Sequence, residues 1–276
     1  MYPKPNLPIT AHIPHAGTII PATAQRQFTC SEAELWREML AVTDWYADDL
    51  FALPGIAMTQ TPISRVALDV ERFEDDALEE KAAFGQGLIY THSTQGVRLR
   101  RDLSAVERTL MVENYYRPWH LHLEAQLEQQ VEQWGYSLLL DCHSFADKPF
   151  AFEDEGKRER PDFCLGTCAN TPAWLLEHCR QFIEGLGYCV EVNYPYAGCL
   201  VPERFAGDTR VPAIMIEINR RLYIKDTAEL DPRLQPLPVR KAGYGNWKQR
   251  IQRLMGELGA LSASHLAPHY RHSAAG

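Results

Sequence analysis

The stretch LLLDCHSF, residues 138 to 145, runs three leucines straight into a carboxylate, a thiol, an imidazole and a hydroxyl. Its apolar head reads as a buried strand, and the four polar groups fall where that strand ends. In an open parallel sheet, ligands bind beyond the carboxyl ends of the strands, so polar residues that terminate apolar runs are the informative ones. Neighbouring strand residues face opposite sides, which makes a direct thiolate–imidazole pair of Cys142 and His143 hard to build.

Outward from this stretch, strand-like apolar runs recur at AHIPH (11 to 15), GIAMTQTPIS (55 to 64), SRVALDV (64 to 70), YSLLLDCHS (136 to 144), PDFCLGT (161 to 167), YCVEVNY (188 to 194) and PAIMIEI (212 to 218). Between them, residues 31 to 53, 104 to 134, 171 to 187 and 246 to 266 carry apolar side chains at three- and four-residue spacings, with Ser31, Ser104 and Thr171 placed as amino-terminal caps. Pro118 is expected to break or kink the second of these helices near Tyr116 and Arg117. Strands alternating with helices indicate an α/β fold with a mostly parallel or mixed central sheet flanked by helices. There is no fixed-period repeat, and FEDEGKRERPD (152 to 162) is too short for an interdomain linker, so one domain over residues 1 to 276 is expected, with a frayed tail at 267 to 276.

With 45% hydrophobic and 23% charged residues in 276, the chain has the apolar material for a substantial core. A net charge of −8 without a basic stripe argues against nucleic acid as a partner. No stretch has the roughly 20 apolar residues of a membrane span, and the amino terminus lacks a secretory signal, so the cytoplasm is the expected location. The seven cysteines, at 30, 142, 164, 168, 179, 189 and 199, form no CxxC pair; even Cys164 and Cys168, four apart, read as packed thiols.

Three polar residues stand at the ends of apolar runs: His15 after AHIP, followed by the small turn Ala16–Gly17; His143 after YSLLLDC; and Glu217 after PAIMI. A carboxylate buried at such a place is costly unless a metal, an arginine or a substrate compensates it. Two histidines need a third ligand to make a catalytic zinc site, which uses three protein groups and leaves one position to water. Asp44, in TDWYADDL, is the choice, with Trp45, Leu50 and Phe51 packing its helix on the sheet; Asp48 and Asp49 are rivals. Asp141 suits a supporting role, because a ligand histidine commonly gives its second N–H to a carboxylate. His120 and His122, two apart on a helix, face different directions and are not ligands. His269 and His272 lie in the frayed tail, where a rigid mounting is missing.

IPHAG, TDWYADDL, ISRVALDVER, LLLDCHSF, NYPYAGCLVPERF and IMIEINRRLY, in this order over roughly residues 10 to 260, resemble the N-formylglutamate amidohydrolase family. The resemblance implies a fold like that of the zinc-dependent exopeptidases. It also implies hydrolysis of the formamide of N-formyl-L-glutamate to formate and glutamate, a late step in a bacterial route of histidine breakdown. Implied with it are zinc, or another divalent metal, on His15 and His143, with Asp44 as the best-fitting acidic ligand, and Glu217 as the catalytic carboxylate. One departure is Glu71 in VER, where the family pattern has asparagine before Arg72, which bears on how Arg72 is held and on substrate choice.

That chemistry needs an oxyanion partner, for which Arg65 is suited, and cationic anchors for two substrate carboxylates. Arg65 and Arg72 are the leading pair, yet in a strand they are an odd number apart and face opposite sides. Arg220 and Arg221 are substitutes, and Arg98, Arg100 and Arg101 form another basic cluster. Tyr194 and Tyr196, in a loop after a strand, offer hydroxyl donors to a substrate carboxylate. The competing readings are a related zinc carboxypeptidase-like or amidase-like hydrolase, and a binding protein that keeps the pocket without catalysis.

Overall fold

The structure, a computed structural model, describes residues 6–153, 158–225, 227 and 237–270, with side chains as far as residue 267. Strands β1 (Ile9–Ile13), β2 (Ala57–Gln60), β3 (Leu138–Phe145), β4 (Phe163–Gly166), β5 (Val190–Val192) and β6 (Ala213–Asn219) form one sheet in the order β2-β1-β3-β6-β4-β5. Only the β4–β6 pair is antiparallel, so the α/β expectation holds with a mixed sheet. The flanking helices are α1 (Ala22–Gln25), α2 (Glu32–Val42), α3 (Ala47–Leu50), α4 (Ala105–Met111), α5 (Arg117–Trp134), α6 (Ala173–Gly185) and α7 (Tyr244–Tyr270).

The two faces of the sheet follow the period-two alternation of its strands. Ile9, Ala11 and Ile13, Leu138, Leu140 and Cys142, and Ile214, Ile216 and Ile218 join one core with α3, α6 and α7. Leu139 and Ala213 point the other way, into a second core with Trp119, Leu123 and Leu127 of α5. The same alternation puts His12, Asp141, His143 and Glu217 on the α5 side. Register completes the grouping, since His12 lies opposite Asp141 and His143 opposite Glu217.

Three local expectations are corrected. The chain from Ser64 to Arg72 is a run of turns, not a strand: Ala67 N–H and Leu68 N–H bond to Ser64 O, and Arg72 N–H to Asp69 O. The Val66 and Ala67 carbonyls accept from the buried Arg100 guanidinium instead of a neighbouring strand. The helix expected over 31 to 53 stops at Val42; Thr43 turns to extended backbone, and Asp44 N–H bonds to His15 O across at the sheet's end. Pro118 marks the interruption expected near Tyr116 and Arg117: the α-helix gives way to a π-helical turn at Val112–Tyr116 directly before it, and the helical run then continues as α5. Thr171 does not cap α6, whose cap position is Pro172; the threonine hydroxyl donates to Ala213 O at 2.7 Å. Ser31 and Ser104 do form capping boxes, with Glu34 and Glu107. Residues 267–270 continue α7, while 154–157 and 271–276, including His272, lie outside the described residues.

Glu38 of α2 is buried and accepts hydrogen bonds from Thr94 N–H, Thr94 Oγ1 and Gln86 Nε2, pinning the 86–94 segment to the fold. Burial pushes its carboxyl up to about 7. A carboxyl whose pKa is raised on folding stabilises fully below its unfolded value and loses that contribution as pH rises through the folded value. Urea unfolding of the wild type is therefore expected to lose about 3 kcal/mol between pH 4.5 and pH 8 relative to Glu38→Gln, which lacks the titration.

Candidate metal centre and its cavity

The carboxyl ends of β1, β3 and β6 open into a cavity of about 580 Å³ whose wall includes His15, Asp44, Arg65, Glu71, Arg72, Tyr90, His143, Glu217 and Arg220. His15 follows β1, and the turn after it is held close: a Cβ on Gly17 would sit 2.5 Å from Thr61 O and 2.6 Å from Ile63 O. The small turn thus lets the chain pack on the 61–63 backbone and leaves the imidazole as the group that faces the cavity.

Asp44, His15 and His143 converge there. Asp44 Oδ2 lies 3.1 Å from His143 Nδ1 and 3.6 Å from His15 Nδ1, and these donor atoms all fall within 4.8 Å of one another. Asp44 Oδ1 accepts from Ser144 Oγ at 3.3 Å. Burial by itself would raise the Asp44 carboxyl, but the imidazoles of His143 and His15 hold it below the usual carboxylate range. Of the rivals, Asp48 is exposed, and Asp49 is bonded to Tyr244 and Lys248. Two imidazole nitrogens and one carboxylate oxygen, buried in the wall of a cavity, could together hold a metal ion.

Each of the two imidazoles is oriented from behind. His15 Nε2 donates to Asp69 Oδ1 at 2.8 Å, and His143 Nε2 to Asp141 Oδ1 at 2.8 Å. Asp141 Oδ1 also accepts from His12 Nδ1 at 2.6 Å, and its Oδ2 from Leu200 N–H at 2.9 Å. Asp69 accepts Arg65 Nε and Nη2 at 3.0 and 2.7 Å, and Tyr90 OH at 3.1 Å. Despite its burial, Asp69 is held well below the usual range by the Arg65 guanidinium. Such carboxylate–histidine supports fix which ring nitrogen faces a metal. Sequence reasoning found Asp141 but missed Asp69, Tyr90 and His12. His12 was legible only through its parity with Asp141, and Asp69 carried no local signal because SRVALDV reads as a strand.

Glu217 is buried beside the cluster, with Oε2 lacking a hydrogen-bond partner among the described residues. Its burial, with Asp44 and Glu71 close by, pushes the carboxyl up to about 8. The turn structure removes the parity objection to Arg65 and Arg72. Both reach one carboxylate, Arg65 Nη2 at 2.7 Å and Arg72 Nε at 3.7 Å from Asp69 Oδ2, and both line the cavity. Arg220 lines it too, with Nη1 donating to Thr43 O at 2.9 Å.

Tyr196 lines the cavity but donates its hydroxyl to Glu153 Oε1 at 2.8 Å. Tyr194 is outside the wall, its ring under the Arg158 guanidinium at 3.7 Å. Arg221 pairs with Asp147 and Asp162; Arg98 with Asp102; Arg101 with Glu107; none of the three lines the cavity. His120 Nε2 donates to Val70 O at 2.9 Å and so steadies the segment carrying Asp69 and Arg72, whereas His122 is exposed.

Cys142 points into the opposite core, its Sγ donating to Leu140 O at 3.2 Å, and burial drives the thiol well above its ordinary range. Cys142→Ala is expected to keep turnover within a few-fold of wild type. Complete loss with metal still bound would instead indicate covalent catalysis.

A family model for N-formylglutamate amidohydrolase matches residues 7–224. The chain is 29% identical over 232 residues to an N-formylglutamate deformylase of Pseudomonas putida, covering 80% of this chain and 83% of that protein. It is 26% identical over 241 residues to an N-formylglutamate deformylase of Pseudomonas aeruginosa, covering 82% and 86%. In three dimensions it resembles the crystal structure of an N-formylglutamate amidohydrolase from Ralstonia eutropha JMP134, with a TM-score of 0.77 and 24% identity over 98% of this chain and 97% of that one. A gene product of Agrobacterium tumefaciens shares the fold at a TM-score of 0.64 and 18% identity, covering 95% and 93%. With most of its length matched by the family model and its own sheet ending in a buried His–Asp–His cluster, the chain belongs to the N-formylglutamate amidohydrolase family.

Proposed function

We propose that this protein hydrolyses the formamide of N-formyl-L-glutamate, or of a close N-formyl amino acid, to formate and the free amino acid, in the cytoplasm and as part of histidine degradation. One catalytic domain over residues 1–276 would carry the reaction. The observation that carries the reading is the convergence, at one cavity, of His15, Asp44 and His143 with Glu217, whose Oε2 has no hydrogen-bond partner among the described residues.

His15, Asp44 and His143 would hold zinc or another divalent cation, which when bound polarises the formyl oxygen and activates water at neutral pH. Glu217 accepts the water proton and returns it to the leaving nitrogen, so water and formamide give formate and amine without other reactants. Burial, with Asp44 and Glu71 close by, raises this carboxyl, which favours its holding the proton until the leaving nitrogen takes it. Arg65, anchored on Asp69, stabilises the developing oxyanion; Arg72 and Arg220 receive substrate carboxylates, and Tyr196 shapes the wall beside them. Tyr194 supports that loop from outside the cavity. No helix among the described residues is long and apolar enough to cross a membrane.

Formate release from N-formyl-L-glutamate, N-formyl-L-aspartate and a neutral N-formyl amino acid separates the parts of this reading. Preference for the glutamate compound over the neutral one by about tenfold or more is expected from a second charge-assisted carboxylate contact. Equal rates would discard the two-anchor pocket while keeping the amidohydrolase.

A further inference from the structure

Behind the His15–Asp44–His143 cluster lies a second group of donors, His12, Glu71, Asp141 and His143, whose donor atoms fall within 4.8 Å of one another and of which the proposed reaction uses only His143 as a ligand. His143 belongs to both groups and turns one ring nitrogen to each. Its Nδ1 faces Asp44, and its Nε2 lies 2.8 Å from Asp141 Oδ1 and 3.2 Å from Glu71 Oε1. His12 Nδ1 completes the set, 2.6 Å from the same Asp141 oxygen and 3.8 Å from Glu71 Oε1.

Glu71 is the feature that hydrogen bonding alone does not account for. Its side chain is only 16% exposed, and its oxygens approach His12, His15 and His143 at 3.8, 3.4 and 3.2 Å. Yet no donor among the described residues makes a hydrogen bond to that carboxylate: the His15 and His143 Nε2 protons go to Asp69 and Asp141. A largely buried carboxylate without a hydrogen bond, set against ring nitrogens, is the environment a cation stabilises. Two imidazole nitrogens and two carboxylate oxygens make a four-donor set suited to zinc or a similar borderline dication, and the two carboxylates match its charge.

We propose that His12, Glu71, Asp141 and His143 form a second divalent-cation site, joined to the His15–Asp44–His143 site through the His143 ring. Glu71, which lines the cavity, gives the site its access. The inference rests on His143 being a ligand of the first site, and the test separates the two.

The purified full-length chain is equilibrated with buffered free zinc at pH 8, and bound zinc is counted by mass spectrometry. The expected result is about two zinc ions per chain in the wild type and about one in both His12→Asn and Glu71→Gln, with unchanged circular dichroism. The copper-loaded wild type should show a paramagnetic resonance signal diminished by coupling through the shared imidazole, and His12→Asn a full single-copper signal. One zinc in the wild type at saturation overturns the second site and leaves the first intact. Two zinc ions retained by both variants overturn it by placing the extra ion elsewhere, and no zinc at all overturns both sites.

Discussion

Glu217→Gln is expected to lower the rate of formate release by about 10²- to 10⁴-fold while metal content and fold stay as in the wild type. The side chain sits opposite His143 in the β3–β6 register, buried, with Oε2 free of any hydrogen bond among the described residues. A structural carboxylate would be bonded, and its amide would lose stability rather than turnover. The amide has nearly the same shape but cannot take a proton from water or return one to the leaving nitrogen. Steady-state kinetics beside metal analysis checks the result. Near wild-type turnover would move the proton to another group, for which Glu71 in the same cavity wall is a candidate.

His143→Ala is expected to weaken divalent-metal binding by at least about 100-fold, because it removes a ligand and not merely a support, whose loss costs about 10- to 100-fold. The same change leaves Asp44 and Asp141 buried without the imidazole between them, at 3.1 and 2.8 Å in the intact protein. Removing one partner of a buried charged group costs about 3–5 kcal/mol, so the variant should also unfold at lower urea concentration. His143→Gln, which keeps a polar group at the position, should recover part of the stability and none of the metal affinity. Retention of tight metal binding by either variant would place the metal elsewhere.

The parts of this architecture that were legible in the sequence are those set by alternation. In β3, Leu138, Leu140 and Cys142 share one face and Leu139, Asp141 and His143 the other, and period two places the imidazole and its carboxylate support together and the thiol away. Five further apolar runs become strands for the same reason, and the serine caps act locally as their spacing indicates.

What was not legible depends on contacts distant in sequence. SRVALDV alternates like a strand, but Arg100 takes the Val66 and Ala67 carbonyls and Asp69 gathers Arg65, Tyr90 and His15, so the segment folds as turns around a buried carboxylate. The helical periodicity of 31–53 likewise yields where Asp44 N–H finds His15 O. Asp44 thereby stands in the turn after α2, with Tyr46 in the left-handed region at φ 65°, before α3 resumes. No local pattern announces either event, and both place groups against the proposed metal.

The most direct measurement is formate release from N-formyl-L-glutamate by the purified protein before chelation, after removal of its metal, and after zinc is restored. Activity that disappears with the chelator and returns with zinc is the expected result. Turnover that persists in protein shown to be metal-free would contradict the assignment of His15, Asp44 and His143 as the catalytic metal centre.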